Sequence, residues 1–271
     1  MKLSIITINY NNVEGLRKTL ASVASQSYSN IEHIIVDAAS TDGSVEIIKE
    51  YADASKHTVI WSSEKDKGIY NGMNNGIQKA TGEYIQILNS GDILAAPNVT
   101  ERMLVAMPDG VDILYGNMVK YDYTSNKIIG KSGEVEYSLR QYYSGTLNHD
   151  CCYIRRDLFE TYGLYDENLR IVSDWKWFLQ VIGLGHLKPV YVDIDVTIFD
   201  CCGISESNSE LRQKERRQAL EELLPPAVLA DYDTHSFEVS QMQRLRKHNL
   251  YGIVCFIERV LFKLEKWHIL K

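Results

Sequence analysis

Four clusters of short polar side chains and glycines could together hold a charged ligand such as a nucleotide. They comprise Thr7, Asn9, Asn11 and Asn12; Asp37, Ser40, Thr41, Asp42 and Gly43; Glu64, Asp66, Lys67 and Gly68; and Asn89, Ser90, Gly91 and Asp92. A carboxylate such as Asp37 can accept hydrogen bonds from a base N–H or a ribose hydroxyl. Asp92 could hold a divalent cation, whose charge would offset a diphosphate. One such cluster alone would be an ordinary turn.

Each cluster directly follows a stretch whose residues predict a β-strand. Apolar or β-branched runs predict strands over residues 3–8, 31–36, 58–61 and 84–88, and helical spacing predicts helices over 13–24, 44–51 and 69–79. Strands that alternate with helices imply parallel βαβ units in an open, doubly wound sheet. Ligands bind beyond the carboxyl ends of such strands. The four clusters are therefore expected at one ligand-binding edge.

Bulk properties exclude several other kinds of protein. The chain has no GxxxxGK[ST] or GxGxxG motif, which argues against kinases and NAD enzymes and leaves a metal to neutralise phosphates. The net charge of −7 argues against nucleic-acid binding. The five cysteines lack zinc-ligand spacing and are predicted to be reduced. With no long apolar run and no secretion signal, we expect a cytoplasmic location, with the inner face of the membrane as an option.

The second half of the sequence predicts a mixture of elements. Strands are expected over residues 111–116 and 191–199, a hairpin over 118–123 and 127–130, and an amphipathic helix over 174–182. Residues 202–209 are predicted to be a loop, and the pattern is helical from Glu210 onward, with a break at Pro225-Pro226. We predict two parts, residues 1–205 and residues 206–271.

Four blocks resemble inverting family-2 glycosyltransferases of the bacterial surface-polysaccharide type. They are Ser4–Asn11, Asp37–Ser44, Ser63–Ile77 and Gly82–Asp92, and the resemblance covers roughly residues 1–200. It implies an α/β fold of the GT-A (nucleotide-diphospho-sugar transferase) type, a Rossmann-like mixed sheet flanked by helices, here with a C-terminal helical extension. It also implies transfer of a sugar, of the hexosyltransferase type and with inversion, from a nucleotide-diphosphate sugar to an acceptor hydroxyl in polysaccharide or glycolipid assembly. The acceptor would be a saccharide or a lipid-linked saccharide.

The resemblance assigns roles to individual residues. The donor-binding set would be Thr7, Asn9, Asp37, Asp66, Gly68, Asn74 and Asn89. This sequence departs from the family's DxD metal motif, because Asn89 and Gly91 occupy the positions of its aspartates. Asp92 alone is left as the ligand of Mn²⁺ or Mg²⁺. The general base would be Asp174, in Ser173-Asp174-Trp175, with Asp150 and then Asp200 as the next candidates.

Several features allow two interpretations at this point. Asp174 taken alone could be an acid favoured by a helix dipole. His149, expected at the end of a strand, could contact the metal or phosphate, or be structural. Trp175 and Trp177 could stack on sugars or pack in the core, and Gly203-Ile204-Ser205 resembles a mobile segment that closes over the substrates.

The C-terminal region is basic, whereas the rest of the chain is acidic. Residues 241–271 hold seven Lys and Arg against two Glu, with apolar residues at helical spacing from Leu250 to Leu264, flanked by Tyr251 and Trp267. Such a helix suits an anionic membrane surface, or it could pack on the catalytic part or in a homodimer. Two other functions also stay open, namely a nucleotidyltransferase and a non-catalytic nucleotide-binding protein.

Overall fold

A computed structural model describes residues 1–122, 125–185, 187–200 and 208–266. Its strands are β1 (Leu3–Asn9), β2 (Ile31–Asp37), β3 (Thr58–Ser63), β4 (Tyr84–Ile87), β5 (Ile93–Leu94), β6 (Ile113–Asp122), β7 (Lys127–Lys131), β8 (Cys152–Arg155) and β9 (Val190–Asp200). Within the described residues they form one mixed sheet in the order β3-β2-β1-β4-β8-β6-β9-β5, and β7 pairs with β6. The mixed sheet agrees with the predicted α/β class.

Helices precede, connect and follow these strands. They are α1 (Val13–Ala24), α2 (Ser44–Ala54), α3 (Ile69–Lys79), α4 (Val99–Ala106), α5 (Leu139–Ser144), α6 (Asp157–Tyr162), α7 (Ser173–Phe178), α8 (Ser209–Leu223), α9 (Pro226–Lys247) and α10 (Tyr251–Lys266). A 3₁₀ turn covers His149–Cys151, and a π-helical segment, Leu179–Leu184, continues α7. The predicted break at Pro225-Pro226 is confirmed, since α8 ends at Leu223 and α9 begins at Pro226.

The first half of the chain folds as parallel βαβ units. β1 pairs in parallel with both β2 and β4, and β2 pairs in parallel with β3. Every residue of β2 is buried, which fits a strand covered on both faces. The chain moves outward from β1 to β3 and then crosses to β4, so the order of strands switches at β1. The predicted elements and their shared carboxyl edge are confirmed here.

The second half corrects several predicted boundaries. The strand predicted over residues 111–116 and the first hairpin strand are one continuous strand, β6, which pairs with β7 in an antiparallel hairpin. His149, predicted at the end of a strand, lies instead in the 3₁₀ turn before β8. The helix predicted over 174–182 changes to π geometry at Leu179. Residues 202–207 of the predicted loop lie outside the described residues.

The molecule divides into two compact units, Met1–Arg216 and Arg217–Lys271. The first contains the sheet and its apolar core, which includes Leu3, Ile5, Leu114 and Val196. In the described part of the chain, no helix combines the length and the apolar character needed to cross a bilayer. Cys151, Cys152 and Cys255 are free thiols, whereas Cys201 and Cys202 lie outside the described residues.

Helix α3 packs closely on β1, and a glycine makes the close approach possible. A Cβ atom added to Gly76 would lie 2.3 Å from Cγ2 of Ile6, well inside van der Waals contact. Ile6 is fully buried and branched at Cβ, so its side chain has little room to move away. The position of α3 over β1 therefore depends on the absence of a side chain at residue 76.

We expect Gly76→Ala to lower the free energy of unfolding by about 1–3 kcal/mol, because the new methyl group overpacks the interface. The matched control is Gly252→Ala in α10, where an added Cβ meets no atom within 4 Å. That variant should be neutral or slightly more stable, since Ala favours a helix more than Gly does. Urea unfolding of both variants tests this, and equal stabilities would contradict the packing argument.

Candidate active site

A buried carboxylate joins the ends of the first three strands. Asp37 ends β2 and has no exposed surface. Its Oδ1 accepts hydrogen bonds from Asn9 Nδ2 at 2.8 Å and Ser40 Oγ at 2.6 Å. Its Oδ2 accepts from Ser63 Oγ at 2.6 Å and from the Ser40 backbone N–H at 3.0 Å. The carboxylate is thus fully engaged by β1, β3 and the loop after β2.

Asp66 and Gly68 form the neighbouring part of this edge, just before α3. The Gly68 N–H donates to Asp66 Oδ1 at 3.0 Å, and Gly68 has a φ of +128°, a conformation that glycine adopts readily. Burial raises the pKa of Asp66, the Gly68 bond partly opposes that rise, and the charge of Asp37 adds to it. The structure therefore places Asp66 within electrostatic reach of Asp37, at the edge where the sequence predicts both clusters.

The loop after β4 is held against the start of α1. Asn12 caps α1 by accepting from the Gly15 N–H, and its Nδ2 donates to the Ser90 carbonyl at 3.0 Å. Gly91 has a φ of +111° and donates its N–H to Thr19 Oγ1 at 3.0 Å. Asp92 follows and is 5% exposed. This loop carries both Asn89 and Asp92, so its position fixes the motif predicted to hold a metal.

Four side chains from distant parts of the sequence meet in one hydrogen-bonded chain. Tyr70 donates its hydroxyl to Asp174 Oδ1 at 2.8 Å, and His149 Nδ1 lies 3.0 Å from Asp174 Oδ2. On the other side of the ring, His149 Nε2 lies 3.2 Å from Asn89 Nδ2. The neutral ring accepts from this NH2 group, whereas the protonated ring donates to the amide oxygen once the amide is turned over. The predicted base Asp174 is therefore linked through His149 to the loop after β4.

The pKa values of His149 and Asp174 shift as expected for an ion pair. Burial alone would lower the pKa of His149, but its hydrogen bond to Asp174 and the charge of that carboxylate outweigh burial and raise the pKa to about 9. Burial alone would raise the pKa of Asp174, yet its hydrogen bond with His149 and the charge of His149 lower it. Their side chains are 19% and 17% exposed, so the pair is only partly open to water.

Two residues predicted to bind the donor have side chains engaged elsewhere. Thr7 lies on β1 two residues before Asn9 and has no exposed surface. Its Oγ1 is 3.0 Å from Nε2 of His33. Asn74 donates to the Tyr165 carbonyl and to Glu167, and accepts from the Tyr165 N–H. These three bonds leave only one lone pair of the amide oxygen without a partner. The side chain of Asn74 therefore holds the loop at Tyr165, and the structure does not bring its amide to the donor edge.

The two tryptophans and the alternative base candidate are also buried. Trp175 and Trp177 are 2% and 3% exposed, and their indole N–H groups donate to the carbonyls of Tyr142 and Gly163. They pack in the core and present no ring for stacking on a sugar. Asp150 is 3% exposed and accepts a 2.5 Å bond from Thr197. The side chain of Asp200, the segment Gly203-Ile204-Ser205 and Trp267 lie outside the described residues.

Tyr70 is the participant that sequence reasoning did not assign. It lies in the third block, Ser63–Ile77, but its partner Asp174 is 104 positions away in the sequence. The aromatic type and the helical spacing of Tyr70 predict a core residue, and Tyr70 is indeed only 4% exposed. One feature of the sequence could have indicated this role. Tyr70 follows Gly68 by two residues and so lies in the first turn of α3, at the ligand edge.

The loop after β4 provides oxygen atoms suited to a divalent cation. Asn89 Oδ1 is buried and has no hydrogen-bond partner among the described residues. Asp92 lies close enough to His149 for its charge to raise the pKa of that ring. Mg²⁺ and Mn²⁺ prefer such oxygen ligands. Over the described ranges, no group of three His, Cys, Asp or Glu side chains is arranged to hold a metal by itself.

Comparison with known sequences gives one family and several relatives. The family described as "Glycosyl transferase family 2" matches residues 4–163. An uncharacterized glycosyltransferase of Mycobacterium tuberculosis is 28% identical over 210 residues, which cover 74% of this chain and 76% of the relative. A PGL/p-HBAD biosynthesis glycosyltransferase of Mycobacterium bovis is 26% identical over 199 residues, covering 73% and 76%.

Solved structures share the fold at low sequence identity. S. aureus TarS 1-349 in complex with UDP-GlcNAc is similar with a TM-score of 0.64 and 19% identity, covering 81% of this chain and 64% of that one. The mannosyltransferase PcManGT of Pyrobaculum calidifontis, in complex with GDP-Man and Mn²⁺, has a TM-score of 0.59 and 18% identity, covering 80% and 60%. This chain thus spans less than two thirds of either. These similarities confirm the predicted GT-A fold.

The ion pair predicts how stability changes with pH. The pKa of His149 is raised from 6.5 to about 9, so its stabilising contribution is complete below about pH 6.5 and is lost as the pH rises through 9. We expect wild type to lose roughly 1–3 kcal/mol more than His149→Gln between pH 6.5 and 9.5. Urea unfolding of both proteins at the two pH values measures this. Parallel losses in the two proteins would show that the pair does not stabilise the fold.

Proposed function

The chain belongs to glycosyltransferase family 2, and we propose that it transfers a hexose from a nucleotide-diphosphate sugar to an acceptor hydroxyl with inversion at the anomeric carbon. The observation that carries this proposal is the chain of contacts from Tyr70 through Asp174 and His149 to Asn89. It joins a candidate base to the loop expected to lie beside the donor diphosphate. No observation favours a nucleotidyltransferase or a non-catalytic role.

Asp174 is proposed as the general base. Tyr70 and His149 each donate one hydrogen bond to it, one to each oxygen, and the Trp175 backbone N–H also donates to this carboxylate, which leaves one lone pair for the acceptor hydroxyl. The acceptor oxygen bonds to the anomeric carbon as the bond from that carbon to the phosphate oxygen breaks. The bonding electrons leave with the nucleoside diphosphate, and the hydroxyl proton passes to Asp174. Attack from the side opposite the leaving group gives inversion.

The nucleotide is proposed to bind across the ends of β1, β2 and β3. A cavity of about 340 Å³ lies at the ends of β2 and β3 and against α3, where Asp37, Ser62 and Asn75 are among its lining residues, and ligand pockets start at about this size. Asn9 Oδ1 is buried and has no hydrogen-bond partner among the described residues. Tyr10 is 68% exposed beside it and could stack on a base. Asp37 would act mainly by holding these groups in place.

Asn89 and Asp92 are proposed to hold a divalent cation, which would neutralise the donor diphosphate when bound. The buried amide oxygen of Asn89, which keeps a lone pair even when it accepts from protonated His149, and the carboxylate of Asp92 support this assignment. The complex of PcManGT with GDP-Man and Mn²⁺ gives the same expectation by similarity of fold. Here the first position of the motif is an amide instead of a carboxylate, so the loop itself contributes less negative charge to the metal.

The acceptor is proposed to be a saccharide or a lipid-linked saccharide of a cell-envelope glycan. A relative is named for PGL/p-HBAD biosynthesis, and that name supports a glycolipid acceptor. The two structural neighbours hold different donors, UDP-GlcNAc and GDP-Man. A thermal-shift panel of UDP- and GDP-sugars, each with Mn²⁺ or Mg²⁺, is therefore the first step. Release of UDP or GDP on addition of acceptor then tests transfer.

Asp174→Asn should reduce transfer by about 10²–10⁴-fold and leave donor affinity near normal, because the shape is kept and the proton acceptor is lost. The matched control is Asp166→Asn, which removes a carboxylate that pairs with Lys176 at 2.8 Å. We expect the control to lose stability and to keep most of its rate. Single-turnover rates and donor titrations of both variants make the comparison. Transfer by Asp174→Asn at near the wild-type rate would remove Asp174 as the base.

A chelator should abolish transfer, and added Mn²⁺ or Mg²⁺ should restore it. Asp92→Asn should raise the metal concentration needed for half-maximal rate, because one anionic ligand is lost. Glu50→Gln is the control, since Glu50 is an exposed carboxylate on α2 that belongs to none of the four polar clusters, and its metal requirement should not change. Full activity of metal-free enzyme in chelator would overturn both the ligand assignment and the role of the cation.

A further inference from the structure

Helix α10 presents apolar side chains to solvent along its length. None of its residues is buried, and seven large apolar side chains between Ile253 and Phe262 have exposed fractions of 40–67%. A soluble surface helix normally buries such residues against a core. A contiguous exposed apolar surface of this kind marks a site of interaction.

Most of these side chains lie on one side of the helix. Residues spaced by three and four positions form a stripe that we call the apolar stripe: Ile253, Val254, Ile257, Val260, Leu261 and Leu264. Ile257 lies at its centre. Phe262 lies on the far side of the helix, although its ring is 67% exposed. The helix therefore has one side that is apolar throughout, and an opposite side that carries Arg259, Lys263 and Lys266 beside Phe262.

A cluster of positive charge lies beside the start of α10. Arg244, Arg246 and Lys247 end α9, and the Arg246 guanidinium stacks over the Tyr251 ring at 4.7 Å, which keeps this basic end beside the start of α10. Residues 241–271 hold seven Lys and Arg and two Glu, whereas the chain as a whole has a net charge of −7. The positive charge is thus concentrated where the apolar surface is exposed.

We propose that α10 docks on an anionic phospholipid surface, with its apolar stripe in the interface and its basic residues at the lipid phosphates. Charge complementarity favours this occupant over a second copy of the chain, because pairing of two identical stripes would bring two basic regions together. Sixteen residues give a helix of about 24 Å, which suits an orientation in the membrane plane. The proposal does not depend on the enzymatic activity.

The test is sedimentation of the full chain with vesicles, without donor or acceptor. We expect binding to vesicles of phosphatidylcholine with one quarter phosphatidylglycerol, and much weaker binding to phosphatidylcholine alone or at high salt. Ile257→Asp should reduce binding on the order of tenfold or more, because a carboxylate replaces an apolar side chain at the centre of the stripe. Phe262→Asp is the matched control and should bind within a few fold of wild type.

Three results would overturn the proposal. One is absence of wild-type binding to the anionic vesicles, and another is equal binding by wild type and Ile257→Asp. The third is a wild-type dimer in lipid-free light scattering that becomes a monomer in Ile257→Asp while neither binds vesicles, which would make the stripe a dimer interface. Because Ile257 is 49% exposed, the variant should melt at the wild-type temperature, and that measurement checks its folding. Transfer assays are separate, so either inference can fail alone.

Discussion

The buried carboxylate of Asp37 is the constraint on which the geometry of the ligand edge depends. Removing an ionised carboxylate from water is costly unless hydrogen bonds compensate. Here the compensation comes from Asn9, Ser40 and Ser63, which belong to β1, the loop after β2, and β3. Three strand ends must therefore stay in one arrangement to keep a single charge satisfied. Burial raises the pKa of Asp66 and the charge of Asp37 adds to that rise, so the influence of Asp37 extends to the start of α3.

The candidate base is positioned by a closed path of contacts that starts and ends on this sheet. Helix α3 lies close on β1 because Gly76 has no side chain, and it carries Tyr70 on its first turn. Tyr70 contacts Asp174, Asp174 contacts His149, and His149 contacts Asn89 in the loop after β4. Since β4 pairs with β1, the path returns to the strand from which it started. A shift of α3 would therefore disturb the base as well as the core.

Local patterns in the sequence were sufficient for the first half of the fold. The helix that the sequence predicts over residues 69–79 agrees with the bounds of α3. The polar cluster after the third predicted strand places Asp66 at the edge, whereas the assignment of Asp174 rests on the resemblance of its segment to the base segment of the family. The hydrogen bonds between the Asn74 amide and Tyr165 could not be predicted, since Tyr165 lies in a loop 91 positions away in the sequence. The contact of Tyr70 with Asp174 has the same origin in tertiary packing.

The ion pair of His149 and Asp174 has opposing effects on a general base. Because the pKa of Asp174 is lowered, its carboxylate is ionised at neutral pH, but it accepts a proton less readily than a base whose pKa lies near the working pH. In the proposed reaction, negative charge is lost at Asp174 and appears on the departing diphosphate. His149 contacts Asp174 through Nδ1 and the Asn89 loop through Nε2. Protonated His149 is therefore close to the negative charge of Asp174 before transfer and to that of the diphosphate after transfer. Its attraction to the diphosphate offsets part of the cost of neutralising Asp174.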